Sequence, residues 1–390
     1  MPRLHCFLLA GLLALAAASA RAADGFELRS GDRVVFLGSA VVEREQLAGY
    51  WETALTSAFP DRDVTFRNLG WSGDTVWGEA RASFDTQREG YQRLLDRTRA
   101  CKPTVIFLGY GTNESFAGAA GLPAFRAQLN KLLDDLTPTK ARFVLLAPPQ
   151  FEADSWRAGN LKERQHDLQV YTDAMREIAG KRGAQFVEEF CQVPRMADPL
   201  TDDGMHLTPF GYWDTAAGLL AVLQAPVRRL RLIELDGLAS REVSQEFLPN
   251  PPAPPHPTTQ ERADDCMVIA RNLKPGKYTL KIDGKPVYTA DAATWMHPAS
   301  GRVLVPKGPA LDQAEKLRRT IVEKDRLYFE RWRPENETYL FGFRKHEQGQ
   351  NAKEIPQFDP LIAQKEALIA KLRKPVPHTY QLVPAGEEKQ

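Results

Sequence analysis

The sequence predicts an α/β fold: a parallel sheet covered by helices on both faces, followed by a smaller β and helical extension. Three observations predict it. From residue 30 to about 225, short apolar runs alternate with longer segments of helical spacing. The runs are nearly continuous and rich in β-branched residues, as strands buried on both faces are. After residue 225 the texture changes to a proline-stiffened connector and an alternating hairpin pattern.

Taken in order, Arg33–Gly38 (RVVFLG) predicts the first buried strand, and Leu47, Trp51, Leu55 and Phe59 place a helix over 45–59. Residues 63–69 (DVTFRNL) predict the second strand and 87–100 a helix. Residues 104–108 (TVIFL), just after Pro103, form the clearest strand pattern in the chain. A helix over 123–137, a strand over 143–147 (FVLLA), a helix over 162–181, a strand at 185–187 and a helix over 209–224 complete the alternation. Beyond it, 229–235 reads as a strand and 250–257 (NPPAPPHP) as an extended connector. Residues 266–273, 277–282 and 286–290 alternate around Asp283-Gly284, a strong hairpin pair. Residues 311–331 and 359–373 read as helices. The chain divides into 1–22, a first domain over 23–225 and an extension over 226–390, which either packs back onto that domain or folds by itself.

Residues 1–22 have the pattern of an export address. Arg3 and His5 give a basic start, Cys6 to Ala18 is apolar but short for a lasting membrane anchor, and Ala20-Arg21-Ala22 offers a small-x-small cleavage site. The expectation is an exported protein, periplasmic or extracellular after cleavage; the alternative is an uncleaved anchor. Across the whole chain 51 Lys+Arg oppose 50 Asp+Glu, which excludes a strongly basic nucleic-acid binder and an acidic solvating tail. Seven His and four Cys are too few and too scattered for a zinc array or a disulfide scaffold, so no metal is expected. Cys101, Cys191 and Cys266 remain after cleavage, enough for one intramolecular pair at most. No stable membrane span is expected.

In parallel sheets of this type, ligand sites lie beyond the carboxyl ends of the strands. Four segments fall there: Gly38-Ser39-Ala40, the run from Asn68 to Thr75, Gly109-Tyr110-Gly111-Thr112-Asn113-Glu114, and the turn from Asp202 to Pro209. Gly73 and Gly111 permit positive φ and close approach of backbone to a ligand. The Asn113 amide can donate to a developing oxyanion beside backbone N–H groups. Asp203 and His206 stand three apart, so the carboxylate can orient the imidazole while its other nitrogen faces a substrate.

In this order the segments resemble the SGNH (GDSL-type) hydrolase family, and the resemblance covers about residues 30–225. Ser72 to Thr75 resembles the family's Ser-Gly-Asp-Thr turn. Gly111, Thr112 and Asn113 resemble its Gly-x-Asn-Asp block, with Glu114 in place of Asp, and Asp203 and His206 its Asp-x-x-His. The resemblance implies a three-layer α/β/α sandwich with a five-stranded parallel sheet. It also implies hydrolysis of an ester, most plausibly an acyl or acetyl group on a carbohydrate, without metal or organic cofactor. The roles it implies are His206 as general base and acid, Asp203 as orienter, and Gly73 and Asn113 as oxyanion donors. The expected partner is a small-molecule or carbohydrate ester substrate, with no nucleic acid.

The first block departs from the family's Gly-Asp-Ser. Here it reads Gly38-Ser39-Ala40, which puts a methyl group at the nucleophile position. Three readings stay open: Ser39 serves as a displaced nucleophile, a water held by His206 attacks directly, or the domain has kept a binding cleft and lost acyl transfer, leaving a carbohydrate-binding or scaffold protein. A one-residue shift moves a side chain by about 3.3–3.8 Å and redirects it, so the first reading requires a remodelled turn. Glu43 and Arg44 are expected at the same rim as substrate-binding candidates. Trp71 and Trp77 flank the second block, where an exposed ring suits a sugar face and a buried one serves the core. Residues 329–357 mix aromatic and polar groups without a clean period, and Arg344 and His346 there are further binding candidates. That segment either folds over the cleft or packs the two parts of the chain together.

Overall fold

Five strands form the parallel sheet that the apolar runs predict. The computed structural model describes residues 26–152, 160–188, 199–225, 231–255, 266–296, 303–304, 307–334, 345–347 and 351–385. Strands β1 (Arg33–Gly38), β2 (Thr65–Asn68), β3 (Val105–Gly109), β4 (Arg142–Leu146) and β5 (Gln185–Val187) lie in the order β2-β1-β3-β4-β5, all parallel. Register sets the site: Gly38 lies opposite Gly109, and Phe36 opposite Asn68. The carboxyl ends of β1, β2 and β3 are therefore close to level, and the loops leaving them meet.

The flanking helices are α1 (Ala40–Ala48), α2 (Tyr50–Ala58), α3 (Gln87–Ala100), α4 (Thr112–Ser115), α5 (Gly118–Leu136), α6 (Leu161–Arg182) and α7 (Pro209–Val222). Because side chains alternate along a strand, each face of the sheet has its own core. Val34, Phe36 and Phe107 pack with Trp51, Leu55 and Leu219 on one side. Val35, Leu37 and Ile106 pack with Leu94, Leu129 and Met175 on the other. This is the three-layer α/β/α sandwich.

The single helix expected over 45–59 is two helices, and the first starts earlier, directly after Ser39. Gly49 takes φ +70° between them, a left-handed conformation that ends α1 at little cost only for glycine. Glu45 then caps the second helix: its buried carboxylate accepts from the N–H groups of Trp51 at 2.7 Å and Glu52 at 3.3 Å. Apolar periodicity reports which residues face the core but not a change of helix axis. The helix predicted over 87–100 is observed with those bounds, opened by a capping box between Thr86 and Glu89.

Among the described residues the extension contributes seven strands: β6 (Arg231–Asp236), β7 (Arg241–Val243), β8 (Cys266–Arg271), β9 (Lys277–Ile282), β10 (Lys285–Asp291), β11 (Val303–Leu304) and β12 (His378–Pro384). They form two small sheets, β10-β9-β12-β7 and β11-β8-β6, around Ile233, Val268, Leu280, Ile282, Trp295 and Leu382. Asp283 and Gly284 make the expected tight turn, both at positive φ. Strand β12, which the periodicity does not reveal, inserts between β9 and β7 from the far end of the chain.

Helix α9 (Pro309–Trp332) packs on α1, α2 and β2 of the first domain, and α10 (Phe358–Leu372) lies along α9; the short α8 (Ala292–Met296) follows β10. Arg318 donates to the Ala48 carbonyl at 2.7 Å, Arg67 pairs with Glu366 at 2.6 Å, and Arg373 donates to the Pro60 carbonyl at 3.0 Å. At the centre of this seam the fully buried Lys324 ammonium meets Glu52 at 2.5 Å and Asp325 at 3.0 Å. Burial first, then the neighbouring Asp325 charge, pushes the Glu52 carboxyl up to about 8. No helix among the described residues is long and apolar enough to cross a membrane.

Candidate active site

The turn from Thr201 to Leu207 closes on itself. Thr201 bridges Leu207, and the Asp202 N–H donates to the His206 carbonyl at 3.0 Å. Within it the Asp203 carboxylate does two jobs. Its Oδ1 accepts from the backbone N–H groups of Met205 and His206 at 3.0 and 2.9 Å, and its Oδ2 lies 2.8 Å from His206 Nδ1. Burial acts to raise the Asp203 pKa, but those donors outweigh it and hold the carboxyl at about 2. With Nδ1–H donating to Asp203, the neutral ring presents the lone pair of Nε2 outward. Both side chains are about one-third exposed, so the pair is reachable from solvent.

Glu152, after β4, steadies this turn from outside. Its carboxylate accepts from the N–H groups of Leu200 at 2.9 Å and Thr201 at 2.8 Å, and from the Thr201 hydroxyl, while its own N–H donates to the Gly204 carbonyl at 2.9 Å. The sequence reading directs attention to the loop after β4 but does not single out Glu152.

The second and third blocks are built as one unit. Gly73 sits at φ +77°, and a side chain there would project into open space. Among the described residues, no acceptor takes its N–H. The next residue, Asp74, is fully buried with Arg81 Nε at 2.7 Å and the Tyr110 hydroxyl at 3.0 Å, which fixes the turn from below. Asn113 Nδ2 donates to the Asp74 carbonyl at 2.8 Å, and the amide has a second N–H to offer. Glu114, where the resembled family has Asp, accepts from the Val76 N–H and the Gly111 N–H, each at 2.8 Å. Burial pushes its carboxyl up to about 7 despite those donors. Gly73 and Asn113 thus stand on loops tied to each other.

The first block is different. Ser39 precedes α1, is 3% exposed, and directs its hydroxyl to the Gly109 carbonyl at 3.5 Å, while its N–H donates to the same oxygen at 3.0 Å. Ala40 is half-buried at the first position of the helix.

Glu43 and Arg44 are both engaged by protein partners. Arg44 pairs with Asp202 at 2.6 Å, tying α1 to the acid–base turn. Glu43 accepts from the Ser72 N–H with one oxygen and from Arg333 Nη1 at 2.7 Å with the other. Asp202, Asp203 and His206 place three ligand-type atoms close together, but one of them already holds Arg44. Of the two readings open for Trp71, the structure gives the buried one: the ring is 8% exposed, with the Arg333 guanidinium 3.6 Å from its centroid and Arg81, Arg97 and Trp332 around it. Trp77 is half-buried against the core. His346 is 73% exposed beside Glu347, and none of its described contacts reaches the cleft. Arg344 lies outside the described residues. Arg333 was legible only as one polar residue in an unpatterned segment; nothing in the sequence connects it to Glu43, 290 positions away.

Residues 32–213 match the GDSL-like lipase/acylhydrolase family. Among solved structures, BT4096, a gut microbial diltiazem-metabolizing enzyme, superposes with a TM-score of 0.67 at 17% identity, over 92% of this chain and 99% of that one. The likeness is one of fold, and it takes in the extension as well as the sandwich. Axe2, an acetylxylan esterase from Geobacillus stearothermophilus, gives a TM-score of 0.42 at 18% identity, over 51% of this chain and 96% of that one. LAE5, an alpha/beta hydrolase enzyme from the metagenome of Lake Arreo in Spain, gives 0.39 at 22%, over 51% and 98%. No curated protein sequence matches the chain.

Proposed function

We propose that the protein, whose residues 32–213 match the GDSL-like lipase/acylhydrolase family, hydrolyses a carboxylic ester by direct attack of water activated at His206. The observation that carries the reading is the Asp203–His206 pair, complete at 2.8 Å and about one-third exposed. His206 Nε2 takes a proton from water as the oxygen adds to the acyl carbon. The Gly73 N–H and the Asn113 amide receive the negative charge that collects on the carbonyl oxygen. When the tetrahedral species collapses, the bond to the leaving oxygen breaks and the imidazolium returns its proton there. An alcohol and a carboxylic acid leave. Asp203, ionised down to low pH, holds the ring in the required tautomer throughout.

Water is preferred to Ser39 because the Ser39 hydroxyl is buried and turned toward the Gly109 carbonyl. Acetylated carbohydrates are the first substrate class to test, and export the expected location, checked by the N-terminus of the protein recovered outside the cytoplasm. The second reading, a binding or scaffold protein without turnover, is favoured by the methyl group of Ala40 at the helix start.

The test is turnover of a small activated acetyl ester, then of acetylated sugars, by the wild type beside Ser39→Ala and His206→Ala. Loss in His206→Ala alone supports water attack. Loss in both makes Ser39 a displaced nucleophile. Background rates in all three leave the binding protein.

A further inference from the structure

We propose that Arg333, supplied by the C-terminal extension, is a positioning residue for the oxyanion loop of the first domain. The inference rests on the ester-hydrolase reading above and extends it: the site is assembled from both parts of the chain.

Arg333 follows the last turn of α9, and its N–H still donates to the Phe329 carbonyl at 2.8 Å, so the helix fixes where its side chain starts. The guanidinium then makes two contacts with the sandwich. It lies over Trp71 at 3.6 Å from the ring centroid, and its Nη1 donates to Glu43 Oε1 at 2.7 Å. The other oxygen of Glu43 accepts from the Ser72 N–H. Trp71 and Ser72 are the two residues before Gly73, so Arg333 holds the oxyanion loop by a ring on one side and by a shared carboxylate on the other. Neither partner of the ion pair is fully exposed: 23% for the Arg333 side chain and 15% for Glu43. A pair this sheltered keeps more of its strength than one on the open surface.

The arrangement matters because nothing among the described residues holds the Gly73 N–H directly, and a side chain there would face open space. The turn is closed by the Asp74 N–H on the Trp71 carbonyl and fixed on one side by buried Asp74. At Ser72 it is held by the Ser72–Glu43–Arg333 chain. Without Arg333, the Glu43 carboxylate keeps, among its described contacts, the Ser72 N–H, and the Trp71–Ser72 side of the turn gains freedom. A catalytic donor displaced by about 1 Å costs on the order of a hundredfold in rate.

The experiment uses the full chain with Arg333→Gln, Arg333→Lys and Glu43→Gln, and with Lys365→Gln as a control that removes an exposed pair between α10 and α9. Two readouts are taken: kcat and KM on the activated acetyl ester, and amide hydrogen exchange of the 71–75 segment. Arg333→Gln and Glu43→Gln are each expected to lower kcat about 10- to 100-fold with little change in KM, because the loss falls on the transition state. The double variant is expected to be no worse than either single one, since both break the same chain. Arg333→Lys keeps the charge and should recover part of the rate, deciding the matter should Arg333→Gln fail to fold. Faster exchange over 71–75 accompanies each loss, and Lys365→Gln matches the wild type in both readouts. Unchanged kcat, a loss confined to KM, unchanged exchange, or an equal effect in Lys365→Gln overturns the proposal. If the wild type hydrolyses no ester, the ester reading fails by itself, and exchange over 71–75 still decides the role of Arg333.

Discussion

The turn after β1, through α1, and the turn before α7 are joined by the Arg44–Asp202 pair, yet they are built differently. The acid–base turn retains two ionisable groups in a defined relation, one-third exposed, braced by Glu152 from outside and by Arg44 on Asp202 from α1. The turn after β1 holds a buried serine hydroxyl against a backbone carbonyl and shows a methyl group to its surroundings. A turn that must hold an imidazole for proton transfer needs acceptors at fixed distances. A turn that only starts a helix needs little more than a compatible backbone.

The sharpest way to break this comparison is to remove its two ends separately. His206→Ala should lower ester turnover by roughly 10²–10⁴-fold, the ordinary contribution of a positioned acid–base group. Ser39→Ala should leave the rate within a few-fold of the wild type. Equal losses would erase the contrast.

Next in size is the seam where α9 meets α2, the helix that follows α1. Lys324→Met leaves Glu52 and Asp325 buried without their ammonium partner, and chemical denaturation should report a loss of about 3–5 kcal/mol. A neutral outcome would show that α2 is seated by its own core contacts.

The loop between the two turns gives a smaller and pH-dependent effect. The Glu114 carboxyl, which ordinarily titrates at 4.5, is pushed up to about 7 by burial. Its folded pKa is therefore the higher one, so its favourable contribution is complete below pH 4.5 and is lost as pH rises through about 7. Glu114→Gln should flatten that dependence between pH 5 and 8. It should also cost about 1–3 kcal/mol, because the amide can accept only one of the two N–H groups that Glu114 now satisfies. Urea midpoints across the pH range test both parts.

Smallest in stability, and most direct for the comparison, is Ala40→Ser. An added hydroxyl at a half-buried helix start should leave the melting temperature almost unchanged. It should confer covalent labelling by a fluorophosphonate that the wild type lacks. Absence of labelling would mean that the turn after β1 no longer points its first helical side chain at His206.

The local chemistry of the sequence reached far into the fold. β-branched runs between helical segments identified the parallel sheet, and a boundary such as 87–100 could be read because Thr86 and Glu89 write a capping box into the chain. Asp-x-x-His was legible as a unit because three residues bring its partners into contact whatever surrounds them. Where the reading stopped, the information was not local. The break at Gly49 depends on what packs beneath it. β12 pairs with strands that lie far from it along the chain. Trp71 was as suitable for a sugar as for a core until Arg333 was found over its ring.

By itself, then, the sequence determined the class of sheet, the order of its blocks and the contact between Asp203 and His206, all of which follow from residue type at short spacing. Only the tertiary structure decided that the Ser39 hydroxyl turns inward, that Glu114 and Asp74 weld two loops together, and that an arginine from the extension reaches the oxyanion loop. Each of these turns on which distant groups share a small volume from which water is largely excluded. There, hydrogen bonds and charges are strong enough to choose one arrangement, and spacing along the chain carries no record of it.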